Sequence, residues 1–161
     1  MTKEEAKSFK NFSFKEKTLH GTLVFERYDI ISYPFMLVVD NMVSYAKDIF
    51  GKKRARFFVY DINLLKHKPD SFHYAVNGHL SIAIDGAFEG LSPMEAFAVI
   101  SKFRFTGVGY YPDWEPMPGW HIDKRPWLVV AYWLAHKVEG KQVYDNNFLH
   151  FIEAIKGNDR T

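Results

Sequence analysis

The chain has 161 residues, 47% of them hydrophobic and 17% aromatic, which suits one compact domain with a sizeable core. The formal net charge of +2 is too small for the basic stripe of a nucleic-acid-binding protein, so no nucleic-acid partner is expected. Because there is no cysteine, disulfides, thiolate nucleophiles and cysteine-based zinc sites are excluded, and any metal must bind His, Asp or Glu.

The N-terminal segment, residues 1–8, carries charges without the apolar run of a secretory signal. No apolar run reaches the length of a membrane span. We therefore expect a protein synthesised in soluble form in the cytoplasm, with one domain over residues 1–161. Residues 1–8 are expected to be a solvated lead-in, and Phe9 to Phe14 an irregular segment packed by its rings.

The first half of the chain predicts a helix, two strands and a long loop. Ser32 to Phe50 is predicted to be an amphipathic helix, with a proline in its first turn and apolar residues at three- and four-residue spacing. Arg56 to Ile62 is rich in Phe, Val and Tyr and predicts a strand. Asn63 to Gly78 lacks periodicity and predicts a long loop that can carry a site. Leu80 to Asp85 predicts a buried strand that ends in an aspartate.

The second half begins with a capping-box signature at Ser92, which predicts a helix over residues 93–103. Two strands follow, Gly107 to Tyr111 and Trp120 to Asp123, separated by a Pro-rich loop over residues 112–118. The continuous apolar run Trp127 to Leu134 predicts a further strand, because its length and β-branching favour a strand over a helix.

A last helix is predicted near the C-terminus, capped by Asp145. Its inner face is expected to carry Phe148, Leu149, Ile152 and Ile155. With these elements the fold class is predicted to be α+β, with helices packed on one side of a small, mostly antiparallel sheet.

Two strand-like segments carry groups that can bind a metal. His121 and Asp123 are two positions apart, so they share one face of their strand. His79 and Asp85 lie on the other segment, and two His with one Asp make a three-ligand zinc site with a position open for water. The alternative is that His79 and His121 are hydrogen-bonded structural histidines and Asp123 caps a turn. Spacing alone leaves both interpretations open.

The segment from Phe105 to Pro112, Phe-Thr-Gly-Val-Gly-Tyr-Tyr-Pro, and the Trp-His-Ile-Asp of Trp120 to Asp123 resemble a known family. This is the superfamily of zinc D-alanyl-D-alanine carboxypeptidases and L-alanyl-D-glutamate endopeptidases, whose fold the hedgehog signalling domain shares. The chain is most similar to its small bacterial or phage members. The resemblance covers most of residues 9–133, and its specific part is residues 103–123.

The resemblance implies that His79, Asp85 and His121 bind Zn²⁺. The first metal motif of the family, Ser-x-His-x-x-Gly-x-Ala-x-Asp, is matched only in part. His79 lies six residues before Asp85, where the family has seven, and the arginine that many relatives carry after the preceding strand is absent. His73, in Ser-Phe-His, matches the start of the motif but requires an insertion of five residues, so it is the alternative ligand. We prefer His79, since a β-bulge absorbs one residue.

A peptidase of this type also needs a carboxylate that accepts and returns a proton. Asp123 is the first choice, because it shares a face with His121; Glu115 is the second and Asp113 the third. The structural alternatives are that Asp123 orients a ligand histidine and Glu115 is a solvated loop acid.

Aromatic residues around the two strands are expected to contact the substrate, namely Tyr110, Tyr111 and Trp120, with Trp114 beside them. Arg125 is expected to pair with a substrate carboxylate, or else to form a surface salt bridge. The resemblance implies cleavage of an amide in the stem peptide of bacterial peptidoglycan, as by a phage lysis enzyme released to the cell wall. The alternatives are a non-catalytic member that binds peptide or cell-wall material and a structural component of a phage particle.

Overall fold

The computed structural model describes residues 1–62, 73, 80–126 and 129–157. Four α-helices lie in this part of the chain: α1 (Lys3–Lys7), α2 (Tyr33–Phe50), α3 (Pro93–Ile100) and α4 (Phe148–Gly157). Six strands accompany them: β1 (Arg56–Asp61), β2 (Ala83–Glu89), β3 (Gly107–Tyr111), β4 (Gly119–Asp123), β5 (Ala131–Val138) and β6 (Lys141–Asp145).

The strands form one mixed sheet in the order β1-β2-β4-β3-β5-β6. Every neighbouring pair is antiparallel except β3 and β5, which run parallel. The predicted α+β class with a mostly antiparallel sheet is therefore confirmed. No helix in the described ranges combines the length and the apolar character needed to cross a bilayer.

The two faces of the sheet differ in composition. One face, which we call the helix face, carries Ile84, Val108, Tyr110, Trp120 and Ile122, all buried in the main core. Helices α3 and α4 pack there, since the ring of Phe97 stacks on Trp120 and that of Phe151 meets it edge-on. The opposite face, the site face, carries Asp85, Gly107, Gly109, His121, Asp123 and Trp133, which alternate with the helix-face residues along the strands.

Capping residues set the helix starts that the sequence predicts. The Ser32 hydroxyl accepts the Phe35 N–H at the start of α2. Ser92 and Glu95 form the predicted capping box of α3. Helix α3 ends at Ile100, three residues earlier than predicted, because Phe103 N–H bonds the Ile100 carbonyl in a tighter turn. The predicted lead-in also contains a short helix, α1, with a capping box of its own.

The strand predicted over Leu80 to Asp85 is wrong in its bounds. Strand β2 runs from Ala83 to Glu89, so Asp85 is its third residue and not its last. The chain before β2 is bonded to another segment instead. The Ser81 N–H donates to the Ile30 carbonyl, and the Ser81 carbonyl accepts the Ser32 N–H. This shift places Asp85 in the interior of the sheet. The loop predicted over Asn63 to Gly78 lies outside the described residues, apart from His73.

The strand predicted over Trp127 to Leu134 is also displaced. Strand β5 begins at Ala131, where the parallel register with β3 pairs it with Gly107. Val129 is exposed, and Trp127 and Leu128 lie outside the described residues. Strand β5 continues to Val138 and turns through Glu139 and Gly140, both at positive φ, into β6, which the sequence analysis missed.

The last helix begins at Phe148, three residues after the predicted cap Asp145. Asp145 ends β6, and the Asn147 side chain accepts the Leu149 N–H at the start of α4. Of the predicted inner face, only Ile155 is buried, together with Phe151 one turn before it. Phe148 and Leu149 are exposed. The helix is therefore rotated relative to the prediction, and its first turn presents apolar side chains to the surface.

Candidate metal centre

Three described side chains converge on the site face. Asp85 on β2 and His121 on β4 are directly opposed in the antiparallel register, which brings their side chains together. His73 reaches the same point from the segment before β2. Their ligand atoms lie close together: His121 Nδ1 is 2.7 Å from Asp85 Oδ1, His73 Nε2 is 3.3 Å from that oxygen, and the two nitrogens are 3.1 Å apart.

These distances fit a small divalent ion. A tetrahedral ion bound at about 2.0–2.1 Å holds its ligand atoms about 3.3 Å apart. The longest observed separation, 3.3 Å, equals that value and the shortest, 2.7 Å, is about 0.6 Å below it, so the triangle must expand to hold an ion. The side chains are 3%, 14% and 12% exposed for His73, Asp85 and His121, so the group is largely buried and only Asp85 and His121 keep a small solvent-accessible part. The group can therefore bind a metal ion.

The charges of this group are strongly coupled. Burial alone favours the neutral carboxyl, but the imidazoles of His73 and His121 hold the pKa of Asp85 well below its usual range. Burial likewise disfavours the imidazolium, but Asp85 and Asp123 outweigh it and raise the pKa of His121 to about 9. Without metal, a proton on His121 thus partly compensates the buried carboxylates, and a divalent ion would replace that proton with two positive charges.

Asp123 lies behind His121 as seen from the ligand triangle. Its Oδ2 is 3.0 Å from His121 Nε2, the ring nitrogen that does not face Asp85. Arg125 Nε donates to both oxygens of Asp123, at 2.9 and 2.8 Å, and the guanidinium lies 4.8 Å from the ring centre of Trp133. An Nε2–H bond to Asp123 leaves the His121 Nδ1 lone pair for a metal ion, as in carboxylate–histidine–zinc groups.

Glycines on β3 make room for this arrangement. A Cβ at position 107 would overlap the Asp123 carboxylate, and one at position 109 would overlap the Trp133 indole. The Gly-Val-Gly sequence of β3 therefore exposes bare backbone on the site face, while Val108 fills the core on the other face. A similar relation holds at Gly119, where a Cβ would meet the Trp114 ring.

The predicted metal ligands come together in part. Asp85 and His121 lie in the group, and His73, the alternative ligand, occupies the third position. His79 lies outside the described residues. The preference for His79 depends on motif spacing along the chain. Spacing does not determine which histidine lies beside Asp85 and His121.

The acids predicted to act as general base are differently placed. Asp123 is fully buried and bonded to Arg125 and His121, which is the orienting position that the sequence analysis gave as its structural alternative. Asp113 accepts the Lys137 backbone N–H at 2.6 Å and fixes its loop to β5. Glu115 is exposed in the same loop, where its charge acts on Tyr60.

The predicted aromatic contacts separate by sheet face. Tyr110 and Trp120 are buried in the main core on the helix face, on the opposite side of the sheet from the metal group, and their contact with a substrate stays a prediction. Tyr111 lies on the site face, where its ring stacks on Trp114 at 4.1 Å and its hydroxyl accepts the Trp133 Nε1–H at 3.1 Å. Burial, and then the nearby Asp85 charge, raise the pKa of Tyr111 above its usual range.

Arg125 and Trp133 complete the site in ways that the sequence analysis did not foresee. Arg125 is 15% exposed and pairs with the fully buried Asp123, so this ion pair is not at the surface, and a contact of Arg125 with a substrate carboxylate stays a prediction. The Trp133 ring centre is 5.2 Å from that of His121. Side-chain alternation along β5 predicts that Trp133 lies on the site face only if the register between β5 and β3 is known, and the sequence does not give that register.

Comparison with models of protein families, with curated proteins and with solved structures finds no match to this chain. The functional interpretation therefore depends on the geometry of the site and on the motif resemblance.

Proposed function

We propose that the protein is a zinc metallopeptidase with a hedgehog-like peptidase fold that cleaves an amide bond in the stem peptide of bacterial peptidoglycan. The observation that carries this proposal is the ligand triangle of His73, Asp85 and His121, with separations of 2.7–3.3 Å. The β3 and β4 segments that resemble the peptidase superfamily are the strands that build this site.

The donor set favours zinc among the common ions. Two imidazoles and one carboxylate are typical of catalytic zinc sites, which keep a position open for water or substrate. When bound, zinc supplies Lewis acidity, which polarises a carbonyl group and lowers the pKa of a water molecule. In this proposal a substrate approaches the ion where Asp85 and His121 keep their small exposed fractions, 14% and 12%.

The surrounding residues have separate tasks in this proposal. Asp123, held by Arg125, keeps the proton of His121 on Nε2. Tyr111 and Trp114 form a stacked aromatic wall suited to a peptide. Since Asp123 is buried behind His121, the proton acceptor is assigned to Glu115, whose loop is fixed by hydrogen bonds between Tyr60 and the Met117 backbone.

One observation favours a second function, a non-catalytic protein that binds cell-wall peptide. No further carboxylate in the described ranges belongs to the metal group, because Asp123 faces away from it. A protein with a bound ion, an aromatic wall and no proton acceptor would bind a peptide without cleaving it.

Metal content and peptidoglycan digestion distinguish these functions. We expect about one zinc per chain in wild-type protein by mass spectrometry of the metal, as a three-residue site predicts, and none in His121→Ala. His20→Ala, which removes an exposed histidine outside the group, should keep its zinc. Absence of zinc from the folded wild-type protein would contradict both functions.

The second measurement is mass analysis of the products released from isolated cell walls. Wild-type protein should release stem-peptide fragments, and His121→Ala, Glu115→Gln and chelator-treated protein should not. If zinc is bound and wild-type protein sediments with cell walls but releases nothing, the peptidase proposal fails and the binding function is supported. Equal cleavage by wild-type protein and Glu115→Gln would instead remove Glu115 from its assigned role.

A further inference from the structure

The two edges of the sheet differ in whether another segment of the chain is bonded to them. The outer edge of β1 is bonded to the N-terminal part of the chain, because Leu19 donates its N–H to the Val59 carbonyl at 2.9 Å. Strand β6 forms the other edge, and within the described part of the chain it has a strand neighbour on one side only. An exposed edge is a template for pairing with another strand.

The backbone groups that point outward from β6 can be identified. In a strand, the N–H and C=O of one residue point to the same side, and the side alternates along the chain. The Lys137 N–H on β5 donates to Asp113, which follows β3 in the chain. This N–H therefore points to the β3 side of β5, away from Gln142, the partner of Lys137 on β6. The pairs bonded between β5 and β6 are therefore those of Lys141, Val143 and Asp145. Gln142 and Tyr144 present their N–H and C=O to the open edge.

This edge is complementary to itself. If two copies of β6 align antiparallel about a two-fold axis at Val143, Gln142 of each copy faces Tyr144 of the other. That register uses all the outward backbone groups of both residues. It also places Lys141 of each copy opposite Asp145 of the other, in pairs whose side chains are close. Opposite charges thus meet twice, as an isologous interface requires.

Apolar exposure is concentrated around the same edge. Five of the eleven exposed large hydrophobic residues of the described chain fall between positions 138 and 149: Val138, Val143, Tyr144, Phe148 and Leu149. Val143 would meet its own copy at the two-fold axis. Phe148 and Leu149 lie in the first turn of α4, directly after β6. Exposed apolar side chains on both faces of an open strand and in the helix turn that follows it are typical of a protein interface.

We propose that this protein forms a two-fold symmetric dimer in which the β6 strands of two copies pair antiparallel about Val143. The two six-stranded sheets then form one continuous sheet of twelve strands. A lysine on an edge strand ordinarily discourages pairing with foreign strands. In the proposed dimer Asp145 of the other copy faces each Lys141. The lysine therefore discourages pairing with other strands but not with a second copy of β6. The inference does not depend on the metal centre.

The charge pattern supplies the first test, by sedimentation equilibrium of the full chain. We expect wild-type protein to have the mass of two chains at micromolar concentrations. Lys141→Asp and Asp145→Lys each set like charges opposite each other, and each should weaken self-association by about tenfold or more. An equimolar mixture of the two variants should restore the dimer, because every charged position then faces its opposite.

Asp145 also accepts the Asn147 N–H at 2.8 Å and lies 2.6 Å from His150 Nδ1 on α4, so Asp145→Lys changes these bonds as well. The backbone supplies a second test that leaves them in place. Gln142→Pro removes an outward N–H while leaving the bonds to β5 intact, so the variant should fold and be monomeric. Gln142→Ala is the matched control and should dimerise like wild-type protein. Circular dichroism and thermal unfolding establish that each variant is folded.

Two results would overturn the inference. Wild-type protein that stays monomeric at several hundred micromolar has no such interface. A dimer that persists in both Lys141→Asp and Gln142→Pro uses another surface.

Discussion

The two faces of strand β4 differ in what they contribute. Trp120 and Ile122 point to the helix face, where aromatic and aliphatic side chains fill the main core. Gly119, His121 and Asp123 point to the site face, where polar groups bond each other and glycines leave space. One five-residue strand thus provides stability on one side and chemistry on the other. Substitutions on the two faces should therefore have separable effects.

The largest expected effect is on the helix face. Trp120→Ala removes a buried ring that packs against Tyr110, Phe97 and Phe151, and it should lower the free energy of unfolding by about 3–5 kcal/mol. Zinc affinity of the folded fraction should change little. Trp114→Ala, on the site face and only half-buried, is the matched control and should cost less than half as much. Urea unfolding measures both; equal losses would contradict the division between the faces.

The next effect is confined to the site face. Asp123→Asn weakens the acceptor for His121 Nε2–H and removes the ion pair with Arg125, so zinc affinity should fall about 10–100-fold. The measurement is competition with a chelator of known affinity, together with the ring ¹⁵N shifts of His121, which report its tautomer.

The matched control is Asp29→Asn. Asp29 also pairs with an arginine two residues away, at 2.9 Å, but the pair is exposed and touches no ligand. Its loss should leave zinc affinity unchanged. If Asp123→Asn binds zinc as tightly as Asp29→Asn, the orienting role of Asp123 is wrong.

The change that is smallest per pH unit concerns the metal-free protein, whose stability should fall over the pH range in which zinc affinity rises. The pKa of His121 is raised from 6.5 to about 9, so the stability from its ion pair with Asp85 is complete below pH 6.5 and is lost as pH rises to about 9. Asp85 has a lowered pKa, so its contribution is lost only in acid. The slope cannot exceed about 1.4 kcal/mol per pH unit for one proton.

Zinc must displace the His121 proton from Nδ1, so its affinity should rise over the interval in which metal-free stability falls. Urea unfolding of metal-free protein and zinc titrations between pH 6 and 9 measure both trends. His121→Ala should remove the decline in stability. A metal-free protein whose stability rises over this range would contradict the assigned charges.

The parts of the fold that the sequence predicted are those set by near neighbours. The Ser92–Glu95 capping box, the proline in the first turn of α2 and the alternation along β3 and β4 each act within a few residues. For the same reason His121 and Asp123 could be placed on one face. The same alternation puts Trp120 on the face opposite His121. The expectation that Trp120 contacts a substrate beside His121 did not take this into account.

The sequence alone determined which side chains could form the site, because residue chemistry and strand alternation are properties of the local chain. The tertiary structure decided which of them meet. The register between β2 and β4 sets Asp85 opposite His121, and the parallel register between β3 and β5 brings Trp133 over Gly109. The position of His73 beside Asp85 and His121 likewise follows from packing. Such contacts join residues distant in sequence, so no short pattern specifies them.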